Sequence, residues 1–430
     1  MGAPVQGSWP VPFFQRRGIY YGWVIVAAMF VTLFISLGFR FAFGVFYSAL
    51  LDETGWSRAE TAWVISVAMG VYALTAALSG YLYDRLGARV LFTGGALLMG
   101  AGLMLCSTIK TLSELVLYYG VIIGLSYAAL GFIPHMAIVP RWFSRRRGFA
   151  NSLSLAGVGL GSLAIAAGSA ELIQAIGWRA TLWHYGIASM AVLIPVNLIL
   201  HRDSAQSLGL HPDGRQPGGG KAAHPPDSHM TVRAALINRN FWWLFAAVTM
   251  IGLVTMTMIV HQTRMLVDVG FSLSLASLIF GMLGVTRAVG GLFWGPLSDR
   301  IGRAACVVII CVASFFGLGL LLLLPYLPPD AGGLRMALLA AYLIAFGLGY
   351  NGMSPVFAST VSDHFAGRNL GTIMGLLDLG FGVGAALGPW AGGWVFDRVG
   401  GYGWMVAGVM AGIVITGISL GTAGRKFKPA

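Results

Sequence analysis

The feature that most constrains this chain is a succession of apolar runs, each about 20 residues long and separated by short polar turns. Twenty helical residues rise about 30 Å, the thickness of a bilayer's hydrocarbon core. Within lipid the backbone must satisfy its own hydrogen bonds, which leaves helices or closed barrels. A barrel strand needs only about ten residues of alternating polarity, and these runs are longer and do not alternate. Composition agrees: 57% of the 430 residues are hydrophobic and 10% are charged, against about 25% charged in a soluble domain. A water-soluble enzyme of this composition would lack its charged shell.

Twelve runs fall at 20–48, 60–82, 90–107, 112–139, 148–170, 180–200, 240–263, 272–295, 304–325, 334–360, 369–394 and 402–422. The chain reads as an all-α membrane protein with twelve transmembrane helices. The one long polar stretch, 201–239, holds Gly218, Gly219, Gly220, Pro225 and Pro226 without apolar periodicity. It reads as a cytoplasmic linker between two six-helix bundles, 1–200 and 240–430. With the N-terminus inside, nineteen of the 27 Lys and Arg residues fall in inside segments and six in outside ones. That asymmetry predicts both termini cytoplasmic. It also accounts for the net charge of +12 without nucleic acid. Arg16 and Arg17 precede the first run with no small-residue cleavage site after it, so the first span is expected to be retained. Cys106, Cys306 and Cys311 lie in apolar runs without metal or disulfide spacing and read as small packing residues.

The two halves repeat a motif. Residues 80–89 read Gly-Tyr-Leu-Tyr-Asp-Arg-Leu-Gly-Ala-Arg and 295–304 read Gly-Pro-Leu-Ser-Asp-Arg-Ile-Gly-Arg-Ala. Each copy occupies the turn between the second and third helices of its half, which implies a parallel duplication. Glycine permits close helix approach, and an acid at a helix end can pair with an arginine or a neighbouring helix N-terminus. Asp84, Arg85, Asp299 and Arg300 are therefore expected to act in gating, by inter-helix pairs that latch one conformation.

An ionisable group in mid-membrane costs at least about 2.5–3.5 kcal/mol and is a functional candidate by default. Three stand out: Arg40, Arg287 and Asp378. A guanidinium stays charged and grips a carboxylate with two parallel hydrogen bonds, so Arg287 reads as an anion site or as half of a fixed pair with Asp378. Asp378 reads as a proton-coupling acid that releases Arg287 when protonated, or as a permanent helix–helix partner. Arg40, in the outer part of the first helix, reads as an anion attractor, a snorkelling residue or a partner of Glu53. His135 and His261 sit near helix ends, where they either relay protons or are satisfied interfacial histidines. Tyr342, Phe346 and Tyr350 share one face of the tenth helix.

These motifs resemble the major facilitator superfamily over the whole chain. The narrower resemblance is to the monocarboxylate porters and their bacterial oxalate/formate antiporter relatives. It rests on Tyr21-Gly22-Trp23, on Arg141-Trp142-Phe143-Ser144-Arg145-Arg146-Arg147-Gly148-Phe149-Ala150, and on Arg287 in the eighth helix. The resemblance implies the major facilitator fold and places a substrate carboxylate on Arg287. The animal porters' aspartate four residues earlier is Leu283 here. Because helices one, four, seven and ten line the cavity in that superfamily, it also implies a pocket walled by Tyr127, Tyr342 and Phe346 with Asn351 as a polar contact, Arg40 assisting.

The expected function is proton-coupled symport of a small monocarboxylate, resembling lactate or pyruvate, by a monomer in a bacterial inner membrane. Its partners are the acid, protons and membrane lipid. A rival reading is an antiporter or efflux carrier of another organic acid or drug. A non-transporting sensor is disfavoured by the short terminal segments. No phosphate loop, paired-cysteine or His-Glu-x-x-His motif occurs, so no cofactor or metal is expected and the chain does not read as an enzyme.

Overall fold

The computed structural model describes residues 11–143, 146–214, 231–328, 330–365 and 370–423. The first helix, α1, is Tyr21–Thr54, closed by Gly55 in the left-handed region (φ 66°). The helical stretch Arg58–Cys106 has 49 residues, about 70 Å at 1.5 Å per residue, too long for one crossing. It turns at Gly87 (φ 78°), giving α2 (58–86) and α3 (88–106). Arg147–Pro195 is likewise broken at Gly177 (φ 77°) into α5 (147–176) and α6 (178–200). Positive φ at both turns is the conformation glycine adopts without strain.

Between these lies α4 (112–142), which opens with a Thr111–Glu114 capping box and is interrupted at Leu130–Gly131. Pro134 follows in the first turn of the second segment, where its missing N–H costs no helical bond. The second half comprises α7 (Arg239–Asp268), α8 (Leu273–Ile301), α9 (Arg303–Leu323), α10 (332–365, interrupted at 349–353), α11 (Leu370–Val399) and α12 (Gly403–Ala423). Twelve crossings result among the described residues. Large apolar side chains such as Leu74, Leu292, Phe316 and Trp404 face outward, as lipid contact requires.

One core gathers mainly α1–α6 and the other α7–α12. The halves meet where α1 packs on α7, α2 on α11 and α5 on α8. The polar stretch 201–239 is less free than its composition implies, and residues 215–230 lie outside the described ones. Asp203 caps α3 through the Ala88 amide at 2.7 Å, and Trp142 and Arg89 donate to the carbonyls of Arg202 and His201. A short helix, Val232–Ile237, capped by Thr231, precedes α7. We call the end of the molecule where this segment joins the halves the linker end, and its opposite the far end.

Inside the first half α1 and α5 approach closely at Gly38. A β-carbon there would lie 2.7 Å from the Gly161 carbonyl carbon. At Gly94, by contrast, added bulk meets nothing within 4 Å. We predict that Gly38→Ala lowers the Tm of the purified protein, by an overpacking cost of about 1–3 kcal/mol. Gly94→Ala should leave Tm unchanged or raise it, since alanine gains about 0.8–1 kcal/mol of helix propensity. Equal effects from both would contradict this packing.

Candidate functional site

Midway along the molecule, a narrow cavity opens between the halves. It is lined by Phe41 of α1, Val158, Gly159 and Ser162 of α5, Thr255, Met258 and Ile259 of α7, Phe280, Leu283, Gly284 and Arg287 of α8, and Phe346 of α10. The α8 sequence explains how an arginine comes to face it. Gly281 and Gly284 let α8 lie against Leu163 and Gly159 of α5, and Gly290 packs on the Leu348 backbone of α10. Among these small contacts, Arg287 is the charged group of α8 that reaches the cavity, beside Phe280 and Leu283. Its guanidinium lies 4.9 Å from the centroid of the Phe41 ring. Besides this charge, the polar side chains lining it among the described residues are the hydroxyls of Ser162 and Thr255, one from each half.

Arg40 lies elsewhere than the sequence suggests. It is 95% buried (relative exposure 5%), not at an outer mouth, and Glu53 instead pairs with Arg179 (3.0 Å) and accepts from the Trp178 indole (2.6 Å). The Arg40 guanidinium sits 4.7 Å from the Tyr72 ring centroid and 5.8 Å from that of Tyr127, within the range of cation–π attraction. The Tyr72 hydroxyl donates to Asp378 at 3.4 Å. The Arg40 charge acts on both Asp378 and Arg287.

The expected pairing of Asp378 with Arg287 is therefore corrected: the acid faces Tyr72 and Arg40. The reason is helix adjacency, because α11 packs on α2 whereas α8 packs on α5.

The aromatic expectations divide. Tyr342, Phe346 and Tyr350 do form a stack, with centroids 5.5 and 6.0 Å apart, but of the three Phe346 lines the cavity. Tyr342 donates to Gln262 at 2.6 Å and Tyr350 bonds Thr416 at 2.9 Å. Tyr127 is fully buried against Tyr119, their hydroxyls 2.9 Å apart. Tyr127 and Tyr342 thus stand behind the wall, because their hydroxyls seek partners inside the helix bundles. The side chains of Asn351 and Asp84 lie outside the described ones.

Beyond the cavity, the far end is held by a polar network between the halves. Asp397 of α11 accepts from the backbone amides of Arg58 (3.1 Å) and Ala59 (2.8 Å), capping the N-terminus of α2 from the opposite half. The Arg58 side chain reaches Asp268 at 2.6 Å and the Tyr402 hydroxyl at 2.6 Å, and it lies 3.8 Å over the Phe396 ring. Arg264 of α7 pairs with Asp52 of α1 and with Asp268 at 2.8 Å. His261 of α7 donates through Nε2 to the Pro389 carbonyl at 2.8 Å, and its Nδ1 lies 3.2 Å from the Tyr47 hydroxyl. In the neutral ring Nδ1 accepts, so the single Tyr47 O–H is shared between it and the Arg58 carbonyl, also at 3.2 Å. Gly393 allows a close approach here: a β-carbon would lie 2.7 Å from backbone atoms of Arg58 and Ala59.

The family model described as Major Facilitator Superfamily matches residues 29–334 and 254–423. The chain belongs to that superfamily. It is similar to monocarboxylate transporter 13 of Bos taurus, 26% identical over 407 residues, 92% of this chain and 89% of that protein. It is also similar to monocarboxylate transporter 11 of Mus musculus, 28% identical over 383 residues, 88% and 82% of the two chains. Among solved structures, a bacterial homolog of the human lysosomal transporter Spinster, in an inward-facing and unoccupied conformation, matches with a TM-score of 0.70 at 16% identity, covering 99% of this chain and all of that one. That likeness concerns the fold.

The chain is thus an integral, multi-pass membrane transporter of the major facilitator type, related to the monocarboxylate transporters. Its two hallmark turns make contacts within their own halves in this state. Asp299 pairs with Arg303 at 2.6 Å, and Arg303 also reaches Asp363 at 3.2 Å. Arg85 lies over the Tyr81 ring, and Arg300 is exposed. His135 bonds the Gly131 carbonyl at 2.8 Å within α4.

The residues that sequence reasoning missed are the far-end network, Tyr72, and the hydroxyls of Ser162 and Thr255. The network had one available signal. Asp52, Arg58, Arg264, Asp268 and Asp397 all sit at helix ends on one side of the molecule.

A cavity position should report on this seal. In a background with the three cysteines replaced by alanine, Met258→Cys should resist an impermeant maleimide applied from the far end. Adding Asp397→Ala and Arg58→Ala should raise the labelling rate several-fold. An unchanged rate would show that the network does not close this end.

Proposed function

We propose that this transporter moves a small monocarboxylate, of the lactate or pyruvate kind, together with a proton. The observation that carries this reading is Arg287 in a mainly apolar cavity between two halves that seal at one end. A guanidinium in a low-dielectric cleft selects an anion, and its fork matches a carboxylate. Ser162 and Thr255 provide hydroxyls for one further polar group of the substrate, while Phe41, Phe280 and Phe346 favour a short apolar remainder. A sugar would need many more hydrogen-bond partners than this lining offers. The relatives' names, monocarboxylate transporters, point the same way.

Alternating access follows from the seal. With the termini cytoplasmic, as the basic residues suggest, the far end faces outward and this state is closed to the outside. Breaking the Arg58, Arg264, Asp397 and His261 contacts opens that face while the linker ends of the bundles close. Asp378 is the acid placed to carry the coupled proton, and a bacterial inner membrane supplies the gradient.

One observation favours anion exchange as a second reading. Two guanidiniums and one acid occupy the middle of the membrane, so a bound carboxylate balances the site without a proton.

Uptake of labelled L-lactate into proteoliposomes separates the readings. An inward proton gradient should drive accumulation in the wild type. Arg287→Ala should lower uptake about 10–100-fold, the loss of one or two charge-assisted hydrogen bonds. Uptake that needs internal lactate and ignores the gradient would establish exchange. No uptake of lactate, pyruvate or other short acids by folded protein would refute the monocarboxylate reading.

A further inference from the structure

We infer that Tyr72 is a positioning residue that links the charge on Asp378 to the place of Arg40, so that proton binding releases a second guanidinium towards the substrate. The inference deepens the monocarboxylate reading above and rests on it for its substrate.

Three observations build the device. Tyr72 belongs to α2 of the first half and Asp378 to α11 of the second, and their 3.4 Å hydrogen bond crosses the interface at mid-membrane. The same tyrosine presents its ring to Arg40 at 4.7 Å, with the Tyr127 ring on a second side at 5.8 Å. The Arg40 Nε is buried without a hydrogen-bond partner, a costly condition for a charged donor. Arg40 is therefore held by the two rings, by the Tyr72 hydroxyl and by the charge of Asp378, with its Nε donor in reserve. Its sequence neighbour Phe41 already lines the cavity, under Arg287.

The other groups around Asp378 do not compete for this role. Where α11 packs on α7, at Gly380 and Gly384, the neighbours are Phe245, Val248, Thr249 and Leu253. None of these titrates in a useful range. The α12 sequence carries no ionisable residue. Asp397 and His261 lie towards the far end, and Asp363 and His364 of α10 towards the linker end. The partners at the level of the acid are Tyr72 from α2 and, through it, Arg40 from α1.

The sequence of events follows from charge. With Asp378 ionised, its carboxylate attracts Arg40 and accepts the Tyr72 hydroxyl, and Arg40 rests on the Tyr72 face. A proton taken up by a carboxylate oxygen removes that attraction. Arg40, repelled by the Arg287 charge while the cavity is empty, turns its unpaired Nε towards the cavity when a carboxylate bound to Arg287 offsets that repulsion and draws it in. Proton and anion then bind each other's site favourably, as symport requires.

A substrate-free test is a stability cycle of wild type, Tyr72→Phe, Asp378→Asn and the double variant, read as Tm at pH 8 and pH 5.5. Phenylalanine keeps the ring under Arg40 and deletes the hydroxyl. At pH 8 Tyr72→Phe should lower Tm in the wild-type background but not in Asp378→Asn. At pH 5.5 that difference should shrink. Equal Tyr72→Phe shifts in both backgrounds at both pH values would overturn the link.

Transport gives the second readout. The KM for the carboxylate should fall on acidification in the wild type, and this pH dependence should flatten in Tyr72→Phe and in Asp378→Asn. A Tyr72→Phe profile matching the wild type would also overturn it. If the wild type carries no monocarboxylate, the reading of the substrate fails, while the stability cycle still decides the role of Tyr72.

Discussion

Asp397 caps α2 across the interface between the halves, and much else in the structure depends on that contact. A helix N-terminus carries unsatisfied amides and partial positive charge. A cap ordinarily comes from the same chain segment and contributes about 0.5–2 kcal/mol. Here the carboxylate is some 340 residues away, in the opposite half. The Ser57–Glu60 capping box serves this end from its own segment, and the two bonds to Asp397 are added only while the far end is closed. Around it, Arg58, Arg264, Asp52 and Asp268 form a network with partly buried arginines, which is worth more than isolated surface pairs of about 0–1 kcal/mol each. Every member can be hydrated when the halves part. Such a contact holds a state without making it permanent, as a carrier needs.

The cavity follows from the same closure. Sealing the far end brings α1 against α7, and the glycine contacts of α8 with α5 leave Arg287 at the central opening. Charges at this depth are costly, roughly 2.5–3.5 kcal/mol or more apiece. The structure offsets that cost with aromatic faces for both arginines and with the Tyr72 hydroxyl for the acid. On the proposed reading, such supports leave Arg40 able to meet a bound anion and Asp378 able to take a proton.

The membrane class and the superfamily were legible from sequence because their signals are local: run length, composition and short motifs. Arg287 was legible for the same reason, since a guanidinium stands out within an apolar run. The partner of Asp378 was not. Residue spacing along α11 shows which face the acid occupies but not which helix of the other half lies against it, and α2 lies there in place of α8. For Tyr342 and Tyr127, a place on a helix that lines the cavity in the superfamily does not say whether the side chain meets the cavity or a neighbouring helix. The far-end network escaped notice because single charges at helix ends look like ordinary solvated turns until the two halves are brought together.

The central claim is that one carrier exchanges this sealed state for one open at the far end. Lys110, after α3, and Tyr326, after α9, are exposed far-end residues on opposite halves. Spin labels at these two positions, read by electron–electron dipolar distances in lipid, test the claim directly. The account requires two distance populations, the longer one growing when Arg58 and Asp397 are replaced by alanine. A single unchanged distance in the wild type and in that variant would contradict it.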